Sequence, residues 1–159
     1  MSNTNYAGFW LRFVAYIIDA ILIYALQAII IIPILGMLGM SFASNPGSLE
    51  NMSEAEAMGM FASIMAAASA TSIVFAVLVI LYYSFMESSK YQATIGKLVL
   101  GLKVTDENGG KLDFIKALVR NLCKIVSSMI LMIGYIMAGF TAKKQALHDI
   151  IAKTLVVKK

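Results

Sequence analysis

Asp19 lies about two turns into a long apolar run. An ionised carboxylate at that depth of a membrane helix costs ~2.5–3.5 kcal/mol on insertion scales. Such a group faces a polar interior or a cavity, where it can take a proton or a cation. Arg12 stands seven residues earlier and shares its helical face, with Tyr16 and Gln27 near the same stripe. Seven residues is ~10.5 Å along the axis, and helical side chains lean toward the N-terminus. Arg12 therefore leans away from Asp19, and Asp149 in the C-terminal tail suits it better as an acidic partner. His148 beside Asp149 makes a candidate proton-transfer pair, with structural hydrogen bonding as the plainer role. Asp19, Arg12, Asp149 and His148 are thus the candidate ion- or proton-binding residues, and Tyr16 and Gln27 the supporting polar ones.

The remaining chemistry is sparse. No grouping of nucleophile, base and orienting residue is present. Gly96-Lys97 lacks the preceding glycine and the following Ser/Thr of a phosphate loop. One histidine and one cysteine argue against a metal site, and Cys123 in its apolar stretch reads as a packing residue. The sequence predicts a protein that is not an enzyme and carries neither cofactor nor metal.

The elements that must position these residues belong to a membrane. The 159 residues are 60% hydrophobic and 14% charged, and mean hydropathy is +0.81. A soluble domain is nearer ~25% charged, so a soluble cytosolic enzyme is excluded. Residues 1–89 carry one cation, Arg12, against five acids; residues 90–159 carry twelve cations against four acids. Beside membrane segments, such a bias reports topology and not nucleic-acid binding.

The spacing predicts an all-α membrane protein of one domain. Residues 7–40 form a first span, which Pro33 kinks or ends. An acidic outer loop covers 41–57, with Ser53 and Glu56 as a capping box. Residues 58–86 form a second span, in which Ala62, Ala66 and Ala70 make a small-residue helix-packing face. Residues 90–112 alternate over Leu98–Thr105 and turn at Asn108-Gly109, an inner β-hairpin or mini-sheet. The tail, 141–159, is basic and ends in a strand that can pair with Leu98–Thr105.

Residues 113–140 form a third helical segment, with Lys116, Arg120 and Lys124 on one side and apolar residues on the other. That basic face is a candidate surface for anionic lipid or a partner. The segment is either a third span or an interfacial and re-entrant piece. The second reading keeps the lysine-rich tail inside, in accord with the charge rule, and is preferred. The N-terminus and the 90–112 loop are then cytoplasmic.

These residues together give a resemblance. The run from Arg12 to Asp19, Thr94-Ile95-Gly96-Lys97 with Gly101-Leu102-Lys103-Val104, Asn108-Gly109-Gly110, and the ending Lys143 to Asp149 with Ala152-Lys153-Thr154 resemble the RDD family of small bacterial integral membrane proteins. The family is named for one arginine and two aspartates, which the resemblance places at Arg12, Asp19 and Asp149. Lys143-Lys144 replaces the arginine pair often found there. The resemblance implies a multi-pass protein of the bacterial plasma (inner) membrane. It also implies a link to transport of unidentified ligands, with sodium/proton antiport ascribed to some members.

Two functions follow as expectations. In the first, Asp19 exchanges Na+ or H+, with Arg12 and Asp149 as counter-charge and inner gate. Two or three helices enclose no pathway alone, so this needs a homo-oligomer or a membrane partner. In the second, the protein is a membrane scaffold or regulator whose cytosolic face binds a partner or anionic lipid, and the buried charges lock its fold.

Overall fold

The computed structural model describes residues 5–44, 47, 51–129 and 133–159. In chain order the elements are α1 (Phe9–Ser44), α2 (Glu54–Ser88), α3 (Ile95–Val99), β1 (Leu102–Asp106), α4 (Phe114–Met129), α5 (Ile133–Ile136), a 3-10 turn (Met137–Gly139), α6 (Leu147–Ile151) and β2 (Thr154–Lys158). Parts of the expected outer loop (45–46 and 48–50) and of the third segment (130–132) lie outside the described residues.

Among the described residues two helices are long and apolar enough to cross a membrane, Phe9–Met37 and Glu54–Ser88. A helix of 29 residues is ~43 Å long, more than a bilayer core of ~30 Å requires. The core helix of a soluble protein would be buried. Here 6% of the most apolar window of α1 is buried, and none of that of α2. Side chains such as Ile29, Ile30, Ile73 and Val74 point outward, as lipid-facing groups do. Pro33 lies inside α1, which runs unbroken from Phe9 to Ser44, so of the two expectations it does not end the helix. Neighbouring groups can re-satisfy the backbone freed by a proline in a membrane helix. Ser53 and Glu56 cap α2 reciprocally: Ser53 N donates to Glu56 Oε2 (2.9 Å) and Glu56 N to Ser53 Oγ (3.3 Å).

The described chain falls into two compact units, Leu22–Val77 on the one hand, and Met1–Ile21 with Leu78–Lys159 on the other. The first is helical throughout its regular parts and holds Gln27, half-buried, and Ala62, Ala66 and Ala70, all exposed. The second holds everything else discussed below.

In that second unit β1 and β2 pair antiparallel, from Leu102 opposite Lys158 to Asp106 opposite Thr154. Residues 5–7 lie along β2: Ala7 N donates to Val156 O (2.8 Å) and Lys158 N to Asn5 O (2.9 Å). A small core of Ala7, Ala15, Leu102, Val104, Leu112, Ala117 and Val156 fills the space between sheet and helices. The expected strand thus begins later, because Leu98 and Val99 are helical in α3. Apolar residues occupy both phases of that stretch, so its alternation was nominal. The turn at Asp106–Gly110 forms, with Asp106 Oδ1 accepting from Asn108 N (2.9 Å) and Gly110 N (2.6 Å). No hairpin follows it, since the partner of β1 is the tail strand.

Helix α4 is amphipathic, but its sides are reversed from those of a helix in a water-soluble fold. Ala117, Arg120, Asn121 and Ser127 are buried, while Ile115, Val119, Leu122, Ile125 and Val126 are exposed. The polar face is turned into the unit and the apolar face outward, the arrangement that suits a lipid boundary.

Candidate functional site

The polar residues of α1, α2, α3, α4 and α6 converge in this unit on two adjoining clusters. The first surrounds Asp19, which is 1% exposed. Its carboxylate accepts from Thr94 Oγ1 at 2.6 Å and from Gly96 N at 2.7 Å. Both donors come from the start of α3. A Cβ built on Gly96 would lie 2.1 Å from Ala15 O, so only glycine lets α3 approach α1 closely enough for these bonds. Among the described residues no cation lies within ion-pair distance of Asp19.

The second cluster has Arg120 at its centre. Arg120 Nη1 donates to Glu87 Oε2 (2.6 Å), while Nε and Nη2 both reach Asp149 Oδ1 (2.8 Å each). Arg12 Nη1 pairs with Asp149 Oδ2. Its Nε donates to Ala7 O (2.9 Å) and its Nη2 to Lys144 O (2.6 Å). Glu87 also holds the Lys97 ammonium and accepts from Asn121 Nδ2 at 3.2 Å. Lys124 Nζ lies 3.6 Å from Glu87 Oε1, donates to Asn121 Oδ1 at 2.5 Å and stands 4.6 Å over the Tyr83 ring. Each charge buried here has an opposite charge or a hydrogen bond, as burial requires.

The surroundings set the protonation states. Burial alone would raise the Asp149 carboxyl, but Arg120 and Arg12 overcome it and hold Asp149 well below the usual carboxylate range. Burial lowers the Lys97 ammonium, and Glu87 opposes that shift. For Lys124, burial is the largest influence and pushes the ammonium down to about 7, against the pull of Glu87. Burial likewise pushes His148 down to about 3, so its ring is neutral near pH 7. His148 Nδ1 is 3.5 Å from Ser127 Oγ, and its Nε2 is 3.6 Å from Asp149 Oδ1.

The two clusters share a pocket of about 270 Å3. Arg12, Asp19, Lys97, Arg120, Lys124 and His148 contribute to its walls, together with Tyr16, Tyr83 and Tyr135.

A model of the RDD family matches residues 6–153. The chain belongs to the RDD family. It is 39% identical over 154 residues to Uncharacterized protein YxaI of Bacillus subtilis (strain 168), covering 96% of this chain and 97% of that protein. It is also 31% identical over 155 residues to Uncharacterized membrane protein YteJ of the same organism, covering 96% and 80%. No solved structure matches. With two exposed helices of spanning length, this RDD protein is a membrane protein.

The structure separates the residues singled out in this RDD sequence into different roles. Arg12, Asp149 and His148 meet in one cluster, Asp19 stands in the other, and Tyr16 lines the pocket between α1 and its neighbours. Gln27 belongs to the other unit. The basic face of α4 does not stand open as a whole: Arg120 is 1% exposed and Lys124 lies 3.6 Å from Glu87. Lys116 alone of the three is exposed. The reason is the reversal of α4, which turns its polar face into the unit and its apolar face outward. Glu87, Lys97 and Asn121 were not singled out. The available signal was Glu87 itself, an acid ending an apolar span with a lysine ten residues on.

Proposed function

We propose that this RDD protein is transport-related and not an enzyme, with Na+ or H+ exchanging at the polar pocket of its second unit. The observation that carries this reading is the pocket, walled by ionisable groups from separate elements in a protein whose spans are otherwise apolar. Intramembrane and membrane-edge charges of this kind mark ion paths by default. Two spans enclose no path alone, so the protein works as a homo-oligomer or with a membrane partner. The exposed small-residue face at Ala62, Ala66 and Ala70 is available for close helix packing.

The hydrogen bonds joining residues 5–7, β1 and β2 support a topology in which these three segments share one side of the membrane. An even number of crossings then separates them, and α4 lies in the interface without crossing. The excess of lysine in this region favours the cytoplasmic side of a bacterial plasma membrane.

The test is sodium-driven proton movement in proteoliposomes, read with an internal pH dye. Wild type should collapse an imposed gradient, and Asp19→Asn should slow it at least tenfold. Flux unchanged in Asp19→Asn would remove the carboxylate from the mechanism. A second reading has its own support, because both Asp19 oxygens are already occupied by Thr94 and Gly96. In it Asp19 locks the fold of a scaffold or regulator that binds a partner or anionic lipid. Asp19→Asn then lowers abundance with no flux to lose, and affinity capture from native membranes returns a stoichiometric heterologous partner.

A further inference from the structure

Lys124 differs from the other cations of the pocket. Arg12 and Arg120 commit their donors to carboxylates and carbonyls, and Lys97 faces Glu87. Those three cations equal in number the three carboxylates of the two clusters, Asp19, Glu87 and Asp149. Lys124 is one positive charge more. Its hydrogen bond goes to a neutral amide, and the glutamate 3.6 Å away is already held by Lys97 and Arg120. Its side chain is also the most accessible of the four, at 21% against 12% for Arg12, 9% for Lys97 and 2% for Arg120.

The pocket beside it suits an anion with an apolar attachment. Three of its lining residues, Phe13, Tyr16 and Ile136, are exposed and form the rim. Phe13 and Tyr16 sit on the exposed side of α1, so the pocket opens beside apolar and aromatic surface. At about 270 Å3 the pocket stands at the small end of ligand sites, which run to ~300–1,000 Å3. It takes a headgroup or a small anion and leaves acyl chains outside.

We propose that this pocket binds a singly charged phosphodiester oxyanion at the Lys124 ammonium, either as the headgroup of an anionic lipid or as a free anion, and that a proton is taken up with it. The inference rests on the pocket being a ligand site, as in the proposed function. Without ligand, burial leaves the ammonium near its titration point at about 7. Across the pocket from Lys124, α1 brings Arg12, Tyr16 and Asp19. Glu87 and Tyr83 come from α2, Lys97 from α3 and Arg120 from its own helix. Asp149 and the neutral His148 come from α6, and Tyr135 Oη donates to the Lys124 carbonyl at 3.2 Å. An anion seated against Nζ adds the missing counter-charge and so returns the proton to Lys124 from solvent.

The full-length protein in neutral detergent is titrated calorimetrically with dihexanoyl phosphatidylglycerol, dihexanoyl phosphatidylcholine and dimethyl phosphate. Paired buffers of different ionisation enthalpy count the protons. Affinity for the anion should fall about tenfold per pH unit above about pH 7, with uptake approaching one proton per anion. Lys124→Arg should bind with a flat pH profile, because guanidinium stays charged, and Lys124→Gln should lose binding. Binding of the glycerol lipid alone identifies a headgroup, and equal binding of dimethyl phosphate identifies a free anion; both support the site. The proposal is overturned by a pH-independent wild type, by unchanged binding in a folded Lys124→Gln, or by no binding at all. Sodium/proton flux without anion binding overturns this inference alone. Anion binding without flux overturns the transport reading alone.

Discussion

The corner around Asp19 and the corner around Arg120 bury carboxylates to the same depth by opposite means. Asp19 is held by a hydroxyl and a backbone amide, both neutral, and both from the first residues of α3. Glu87 and Asp149 are held by cations from α1, α3 and α4. The first corner depends on how closely two backbones approach. The second depends on charge, and one guanidinium spans both of its acids. A change of shape should therefore damage the Asp19 corner, and a change of charge the Arg120 corner.

The largest effect is expected where charge is removed. Arg120→Met leaves two buried carboxylates without their shared partner. Breaking a buried pair by removing one member costs about 3–5 kcal/mol. Thermal unfolding in detergent should show a large drop, and Arg120→Lys should recover little of it, because one ammonium cannot reproduce a fork spanning two acids. A loss below ~1 kcal/mol would mean that solvent, and not Arg120, balances Glu87 and Asp149.

Part of this arrangement was legible in the sequence. The lean of helical side chains turns Arg12 away from Asp19, and the structure places its guanidinium against Asp149. The tail was legible as ending in a strand that can pair with Leu98–Thr105, and Thr154–Lys158 pairs with Leu102–Asp106. The rest of the Arg120 corner was hidden because Glu87 meets Lys97 from 10 residues on and Arg120 from 33 residues on, and no periodicity reports which of them meet. The 3.6-residue period of α4 was readable, but not its orientation. Period separates a polar from an apolar face without saying which solvent surrounds the helix. Gly96-Lys97 fails as a phosphate loop, and the sequence shows no other role for Lys97. In the fold, Thr94 and Gly96 serve Asp19 while Lys97 serves Glu87, so this short motif joins the two corners.

A shape change at that junction should have the next largest effect. A methyl group on Gly96 would meet the Ala15 carbonyl oxygen at 2.1 Å, and a helix backbone cannot yield as a flexible side chain can. Overpacking of this kind costs about 1–3 kcal/mol. Gly96→Ala should separate α3 from α1 and weaken both bonds to Asp19. Gly36→Ala is the control, since nothing lies within 4 Å of the added Cβ; it should leave the unfolding temperature unchanged. If both variants behaved alike, close approach would not be what holds the Asp19 corner.

The smallest effect separates the corners by pH. His148 is neutral in the fold because burial pushes it to about 3, against about 6.5 in an unfolded chain. Between those values the unfolded state binds more protons, so stability rises with pH and falls as the solution is acidified. Asp149 acts in the same direction over a lower range. Its carboxyl is held down by Arg120 and Arg12, and that stabilisation is lost as pH falls below the unfolded value of about 3.9. The unfolding temperature should thus decline in two stages, beginning near pH 6.5 and steepening below about pH 4. His148→Gln should abolish the upper stage and retain the lower. Asp19→Asn should leave the His148 stage in place, because the donors around Asp19 are neutral and carry no share of it. A single transition below pH 4 in the wild type would show that His148 titrates alike in the folded and unfolded chain, and that burial in the Arg120 corner does not hold its ring neutral.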